Sequence, residues 1–339
     1  MTRSQIFPKT IMPLLAASLF GLSLSASAKD TTAPSLSLPI DCTIGKDCWV
    51  QNLVDFNLAD GTWQDPYCGT ATFDKHKGTD IRVPFVKDLD RNIPILAMAD
   101  GEVVGLRRDM EDFLVQNADD VRKIQGKECG NGAILLHANG WTTQYCHLKK
   151  DSVNVKKGDK LKRGDAIGIM GLSGHTTFPH IHVTVRKGKS VIDPMTGKNQ
   201  TDQCSPQESI AASLWDAKAR EGMTGASSAI LGTGFAGEVV KSGNVLTGEM
   251  KTPQQAGPLV FWAYLINLRP NDRIDLRIMD NNGTYVETLG KPLKGPLASY
   301  TAYTGRKRAL ERGNTYRGEA VLWRNGQVIQ TVQSEPIKF

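Results

Sequence analysis

The chain has 339 residues, a formal net charge of +6 and 40% hydrophobic residues, a length that fits two domains with a small appendage. After the N-terminal segment no stretch approaches the roughly 18 uninterrupted apolar residues that a membrane helix needs, which excludes a transmembrane segment from the reading. The mild positive charge suits an anionic envelope and an ordinary solvated surface equally, and no nucleic-acid partner is expected.

In chain order, Arg3 and Lys9 precede an apolar, small-residue run from Ile11 to Leu24, and Ala26-Ser27-Ala28 offers an A-x-A cleavage site. Residues 1–28 therefore read as a secretory signal peptide, whose removal takes two positive charges and leaves +4. Residues 29–67 read as a polar, proline-punctuated leader followed by a cysteine-containing segment. From Cys42 to about Pro194 the chain is a succession of short β signals. Asp100-Gly101 predicts a hairpin between Ile95–Ala99 and Glu102–Leu106, and Asn139-Gly140 a second between Ala133–Leu136 and Trp141–His147. Gly158-Asp159 and Gly164-Asp165 mark paired turns, and Ile181 to Arg186 reads as a β-branched strand. A polar insertion spans Arg107 to Lys127.

The segment 201–234 reads as a helix and a linker. Ser205 is the expected N-cap, with Pro206 in the first turn and Glu208 completing a capping box, and the helix runs to Glu221 and stops at Gly222. Met223 to Gly234 is rich in Gly, Ala, Ser and Thr. Residues 235–339 then read as a β-sandwich: Ile274, Leu276 and Ile278 alternate with Arg273, Asp275 and Arg277, and Asn325-Gly326 predicts another hairpin. Trp262, Tyr264, Tyr300, Tyr303 and Trp323 offer either core packing, the commoner fate, or a binding surface.

Six cysteines, an even number in an exported chain, point to disulfides. Proximity suggests Cys42–Cys48 and Cys129–Cys146.

Of six histidines, four fall in three short motifs: His76, with Asp80, in H-K-G-T-D; His147 in Y-C-H-L; and His180 and His182 in P-H-I-H. On a strand His180 and His182 share one face, and Tyr145 and His147 would share another with Thr143, opposite Cys146. Gly78 permits a tight path between His76 and Asp80. Each motif alone has a plainer explanation: surface histidines, a salt bridge beside a turn, a satisfied core histidine. Jointly they supply the histidines and carboxylate of a hydrolytic zinc centre.

These motifs, with G-N-G-A-I-L-L-H-A-N-G-W-T-T-Q-Y-C-H-L, the paired G-D turns and G-L-S-G-H-T-T-F-P-H-I-H, resemble the lysostaphin-type (LytM-like) zinc metallopeptidases from about Cys68 to Pro194, in the family's order. The resemblance implies a mainly β fold of duplicated-hybrid-motif type, with a β-sheet groove domain over residues 68–200; the helix, the linker and the C-terminal β-sandwich rest on the residue patterns above. It implies one Zn²⁺ per chain held by His76, Asp80 and His182, with His147 and His180 catalytic and unligated. It also implies peptidoglycan peptide stems or cross-links as substrate. Two departures stand out: Val183 and Thr184 follow H-I-H where an aromatic and an acid are usual, and the Arg107–Lys127 insertion is either a groove wall or a solvated loop. His137 and His175 are read as supporting or rim residues.

The expected function is an exported zinc metalloendopeptidase cutting peptidoglycan cross-links. The alternative is a non-catalytic peptidoglycan-binding module, or an activator of another cell-wall hydrolase. A lipoyl- or biotin-carrier reading of the G-D turns lacks a modifiable lysine at a hairpin tip. The expected compartment is the periplasm, with secretion as the alternative, and the C-terminal domain is a candidate surface for a protein regulator.

Overall fold

A computed structural model describes residues 1–2, 32–207, 210–223, 225–307 and 310–339. The expected signal peptide lies outside these residues except for its first two. Ten strands build the first half: β1 (Trp49–Asn52), β2 (Thr79–Arg82), β3 (Pro94–Leu96), β4 (Gly101–Arg107), β5 (Asn131–Leu136), β6 (Trp141–Leu148), β7 (Lys160–Leu161), β8 (Ala166–Ile169), β9 (His180–Lys187) and β10 (Ser190–Ile192). Eight of them form one sheet in the order β1-β2-β9-β6-β5-β4-β7, with β10 also on β9, while β3 and β8 pair separately.

Strand β9 shows why this sheet has two unlike faces. Ile181, Val183 and Val185 are no more than 1% exposed and pack with Ile81, Ile95, Ile167, Leu36 and Trp215 in the core. The alternate residues His180, His182, Thr184 and Arg186 line a groove on the other face.

Asn139 and Gly140 both take positive φ and close the β5–β6 hairpin as expected. The hairpin expected at Asp100-Gly101 does not form. β3 pairs with β8 and β4 with β5 and β7, so Asp100-Gly101 is a crossing between two sheets. There the Asp100 carboxylate accepts from Lys162 Nζ and the Arg163 backbone N–H. In the paired G-D turns Asp159 and Asp165 each accept the backbone N–H three residues earlier.

Disulfides join Cys42–Cys48, Cys129–Cys146 and Cys68–Cys204. The third explains why the helix expected from Ser205 to Glu221 is absent among the described residues. Cys204 is tied to Cys68, Ser205 donates its N–H to Pro66, and Leu36 pairs with Leu214 and Trp215. These long-range contacts leave only a 3₁₀ turn, Ile210–Ala212, and the short helix Ala217–Arg220 capped by Asp216. The expected linker also differs, because β11 (Ala229–Ala236) begins inside it.

The second half is a sandwich of a three-stranded sheet β11-β12-β15 on a five-stranded sheet β14-β13-β16-β17, with β18 also on β16. The strands are β12 (Leu259–Leu268), β13 (Asp272–Asp280), β14 (Gly283–Thr288), β15 (Leu297–Arg306), β16 (Thr315–Arg324), β17 (Gln327–Gln333) and β18 (Ile337–Lys338). β12 is buried on both faces. Phe261, Ala263 and Leu265 join Ile274, Leu276 and Ile278 inside the sandwich, whereas Trp262, Tyr264 and Ile266 pack against Trp49, Phe85 and Phe178 of the groove domain. Between them lies Arg82, fully buried, its guanidinium carbon 4.7 Å from the Phe178 ring centre and 5.4 Å from that of Tyr264. Of the aromatic residues weighed as core or surface, Trp262 and Tyr264 are buried in this contact, while Tyr300 and Tyr303 are exposed.

Candidate metal centre

His76, Asp80 and His182 converge on one point. His76 Nε2 lies 3.1 Å from Asp80 Oδ1 and 3.0 Å from His182 Nδ1, and His182 Nδ1 lies 2.8 Å from Asp80 Oδ1. Antiparallel register brings them together, since Asp80 on β2 stands directly opposite His182 on β9. Gly78 permits the approach by lacking a side chain: a Cβ there would meet Val183 O at 2.4 Å and the His182 ring at 2.7 Å.

The opposite edge of each ring is tied down. His76 Nδ1 donates to Leu53 O at 2.7 Å, and His182 Nε2 donates to Thr184 Oγ1 at 2.9 Å. That tautomer assignment leaves two imidazole lone pairs and a carboxylate oxygen facing one another. Three acceptors at such distances, two of them buried and His182 half-buried, repel unless a cation sits among them. Two nitrogens and one carboxylate oxygen suit a divalent transition metal, and three protein ligands leave a coordination position open. Asp80 Oδ2 accepts from Asn52 Nδ2 at 2.8 Å, which orients the carboxylate.

His147 and His180 flank this trio, their ring centres 4.7 Å apart. His180 Nδ1 donates to Phe178 O and His147 Nδ1 to Ser173 O, both at 2.8 Å, so each keeps Nε2 as its free nitrogen. His180 Nε2 stays 3.6 Å from Asp80 Oδ1. Phe73 stacks on His76 and Phe178 on His180, with ring centres 4.3 and 4.4 Å apart.

His147 does not share a face with Tyr145 as the alternation implied. Its φ of 67° breaks the strand period, turning His147 to the groove beside Cys146, while the Tyr145 hydroxyl points into the core and accepts from Met98 N. A left-handed backbone costs about 1–2 kcal/mol at a non-glycine residue. Three contacts hold it: His147 N–H to Cys129 O, Gly171 N–H to His147 O, and the ring bond to Ser173.

Burial opposes charge throughout the site, and the neighbours decide the balance. Burial would raise the Asp80 pKa, but His76, His180 and His182 around it outweigh that and hold the carboxyl well below its usual range. Burial disfavours charge on His76, yet Asp80 and the Leu53 carbonyl prevail and raise its pKa. Burial lowers His182 against the pull of Asp80. His180 is pushed down to about 4, chiefly by burial, and His147 well below its ordinary value by burial and then by His180 and His182. Both flanking rings are neutral near pH 7.

The remaining expectations divide. His175 lies on the rim of the groove. His137 is not part of the site: it joins Asp100 O to Thr143 Oγ1 in the core. Thr184, read as a weakening departure, instead anchors His182. The Arg107–Lys127 insertion holds helix Ala118–Ile124 and braces the segment after Gly171, with Asp112 accepting Leu172 N–H and Val115 N–H reaching Thr176 O. That segment carries Ser173, the anchor of His147. Asn52 and Leu53 were missed altogether. They lie in the cysteine-containing segment placed ahead of the groove domain, which supplies β1 of the groove sheet, and no local motif marks them.

The groove encloses about 660 Å³. Residues 74–194 match the Peptidase family M23 model. Over 125 residues the chain is 33% identical to an uncharacterized metalloprotease of Buchnera aphidicola, covering 37% of this chain and 27% of that one. It is 30% identical over 122 residues to the cell division protein DipM of Caulobacter vibrioides, covering 36% and 16%. It is 33% identical over 107 residues to the peptidoglycan DD-endopeptidase ShyA of Vibrio cholerae, covering 32% and 19%. The matches thus span between 16% and 27% of these relatives' own lengths.

Proposed function

We propose that this chain, whose residues 74–194 match the Peptidase family M23 model, is an exported zinc metalloendopeptidase hydrolysing peptide bonds in peptidoglycan cross-links. The observation that carries the reading is the trio of facing acceptors, His76, Asp80 and His182, with two neutral imidazoles beside it.

In this reading His76, Asp80 and His182 hold the metal, and Asn52, Leu53 and Thr184 keep their donor atoms aimed. Bound Zn²⁺ supplies a Lewis acid that lowers a water's pKa to about 7 and polarises the scissile carbonyl. His147 and His180 move the protons. With Nδ1–H anchored on a backbone carbonyl, each can accept a proton only at Nε2, on the groove side. One takes the proton of the attacking water, and the protonated ring then donates towards the carbonyl oxygen or the departing amine. Asp80, 3.6 Å from His180 Nε2, favours the positive charge that such a proton brings. The groove, lined by residues of the peptidase domain and by Asn52 of β1, accepts an extended peptide past this point. A periplasmic site of action follows from the substrate, the signal-peptide reading and the disulfides.

The test is mass spectrometry of products from purified sacculi. New stem-peptide termini that vanish on chelation are expected. Stoichiometric zinc without new termini would leave a binding module or an activator instead.

A further inference from the structure

The groove continues beyond the five site residues. Arg186 is on the same face of β9 as His182 and four residues further along, about 13 Å at strand rise. Its guanidinium is half-buried and donates to Gln144 Oε1 at 2.9 Å. Gln144 Nε2 in turn reaches Cys129 Sγ at 3.3 Å, which orients the amide with its oxygen on Arg186.

No carboxylate among the described residues lies within ion-pair distance of Arg186. The contrast is with the exposed cations Lys75, Lys150 and Lys162, each of which has an acid partner. Burial lowers the Arg186 pKa with no acid nearby to oppose it, but a guanidinium keeps its charge at neutral pH. Glu128, also on the groove, is turned onto the Gly126 N–H and lies near His175 and Arg107. One of the five Arg186 N–H donors is thus directed by Gln144, and the rest of its fork faces a peptide-sized groove without a counter-ion. Beyond Gln144 a second depression of about 160 Å³, lined by Gly105, Gly130, Gly132 and Arg107, gives a bound side chain room.

We propose that Arg186, oriented by Gln144, is a carboxylate subsite that selects peptides bearing a free carboxylate on the side of the groove where β9 runs on from His182 to Arg186. This rests on the groove being a peptidase site. It identifies the preferred substrate as an anionic stem peptide, and a neutral one as a poor substrate.

The experiment compares two cross-linked muropeptides, one with free carboxylates and one with those carboxylates converted to primary amides. Wild-type protein is expected to show a KM about tenfold higher for the amide. Arg186→Gln raises KM about tenfold on the carboxylate substrate and less than twofold on the amide, with kcat within twofold in every case. Arg186→Lys falls between. Zinc content and melting midpoint, measured on the same samples, stay at wild-type values. Equal losses on both substrates, or no change on either, overturn the subsite. If Arg186→Gln does not fold, the wild-type comparison and Arg186→Lys decide the matter alone. Hydrolysis of neither substrate by wild type would instead remove the peptidase reading itself.

Discussion

The groove domain and the sandwich both bury charge, and they do so in opposite ways. In the sandwich Asp272 is fully buried, yet Arg324 meets it with two bonds of 2.7 and 2.9 Å and the Arg269 N–H supplies a third. Among the described residues, the two buried carboxylates of the sandwich, Asp272 and Asp275, each meet an arginine. In the groove domain Asp80, His76 and His182 are supported from behind by Asn52, Leu53 and Thr184, while their inner atoms face one another as acceptors. The sandwich has used its polar groups for stability. The groove domain has kept a set of facing acceptors, which is what the proposed metal site requires.

The difference can be pushed from both sides. The largest effect is expected from Gly78→Ala, because the new Cβ would collide with Val183 O and the His182 ring. Zinc retention should drop below a tenth of wild type and hydrolysis at least 100-fold, read by metal analysis and product assay. Arg324→Ala should do the converse. It leaves Asp272 buried and unpaired, a loss of about 3–5 kcal/mol in chemical denaturation, with zinc stoichiometry unchanged in the folded fraction.

Asn52→Ala removes the donor behind Asp80 and should weaken zinc affinity roughly 10–100-fold in a chelator competition, with little change in melting midpoint. The smallest effect concerns Asp193, whose carboxyl is pushed up to about 6, chiefly by burial. A raised folded-state pKa gives stability that is complete below about pH 3.8 and is lost as pH rises through about 6. Asp193→Asn should therefore stabilise the protein by roughly 1–3 kcal/mol at pH 8 and hardly at pH 4. Oδ1 of Asp193 has no partner to lose. Thermal melts at the two pH values would show it, and an equal shift at both would argue against a titrating Asp193.

What could be read in advance follows the range of the interaction. His180 and His182 lie two residues apart, so local spacing was enough to put them on a common face, and Gly78 pointed to a tight path between His76 and Asp80. All three motifs gained their meaning only jointly, and the orientation of His147 was misread because a left-handed non-glycine residue leaves no periodic trace. Asn52 and Leu53 reach the site through β1–β2 pairing, some two dozen residues from His76 in sequence, where no motif points. The Ser205 capping signals were sound local chemistry. They lost to the Cys68–Cys204 disulfide and to the pairing of Leu36 with Leu214 and Trp215, both set by distant parts of the chain.

The division of labour within H-I-H tests the account most directly. Zinc stoichiometry and muropeptide hydrolysis are measured side by side for His182→Ala and His180→Ala. The account predicts that the His182 variant loses both zinc and activity, while the His180 variant keeps about one zinc per chain and loses hydrolysis. Zinc lost from both variants alike, or hydrolysis retained without His180, would contradict it.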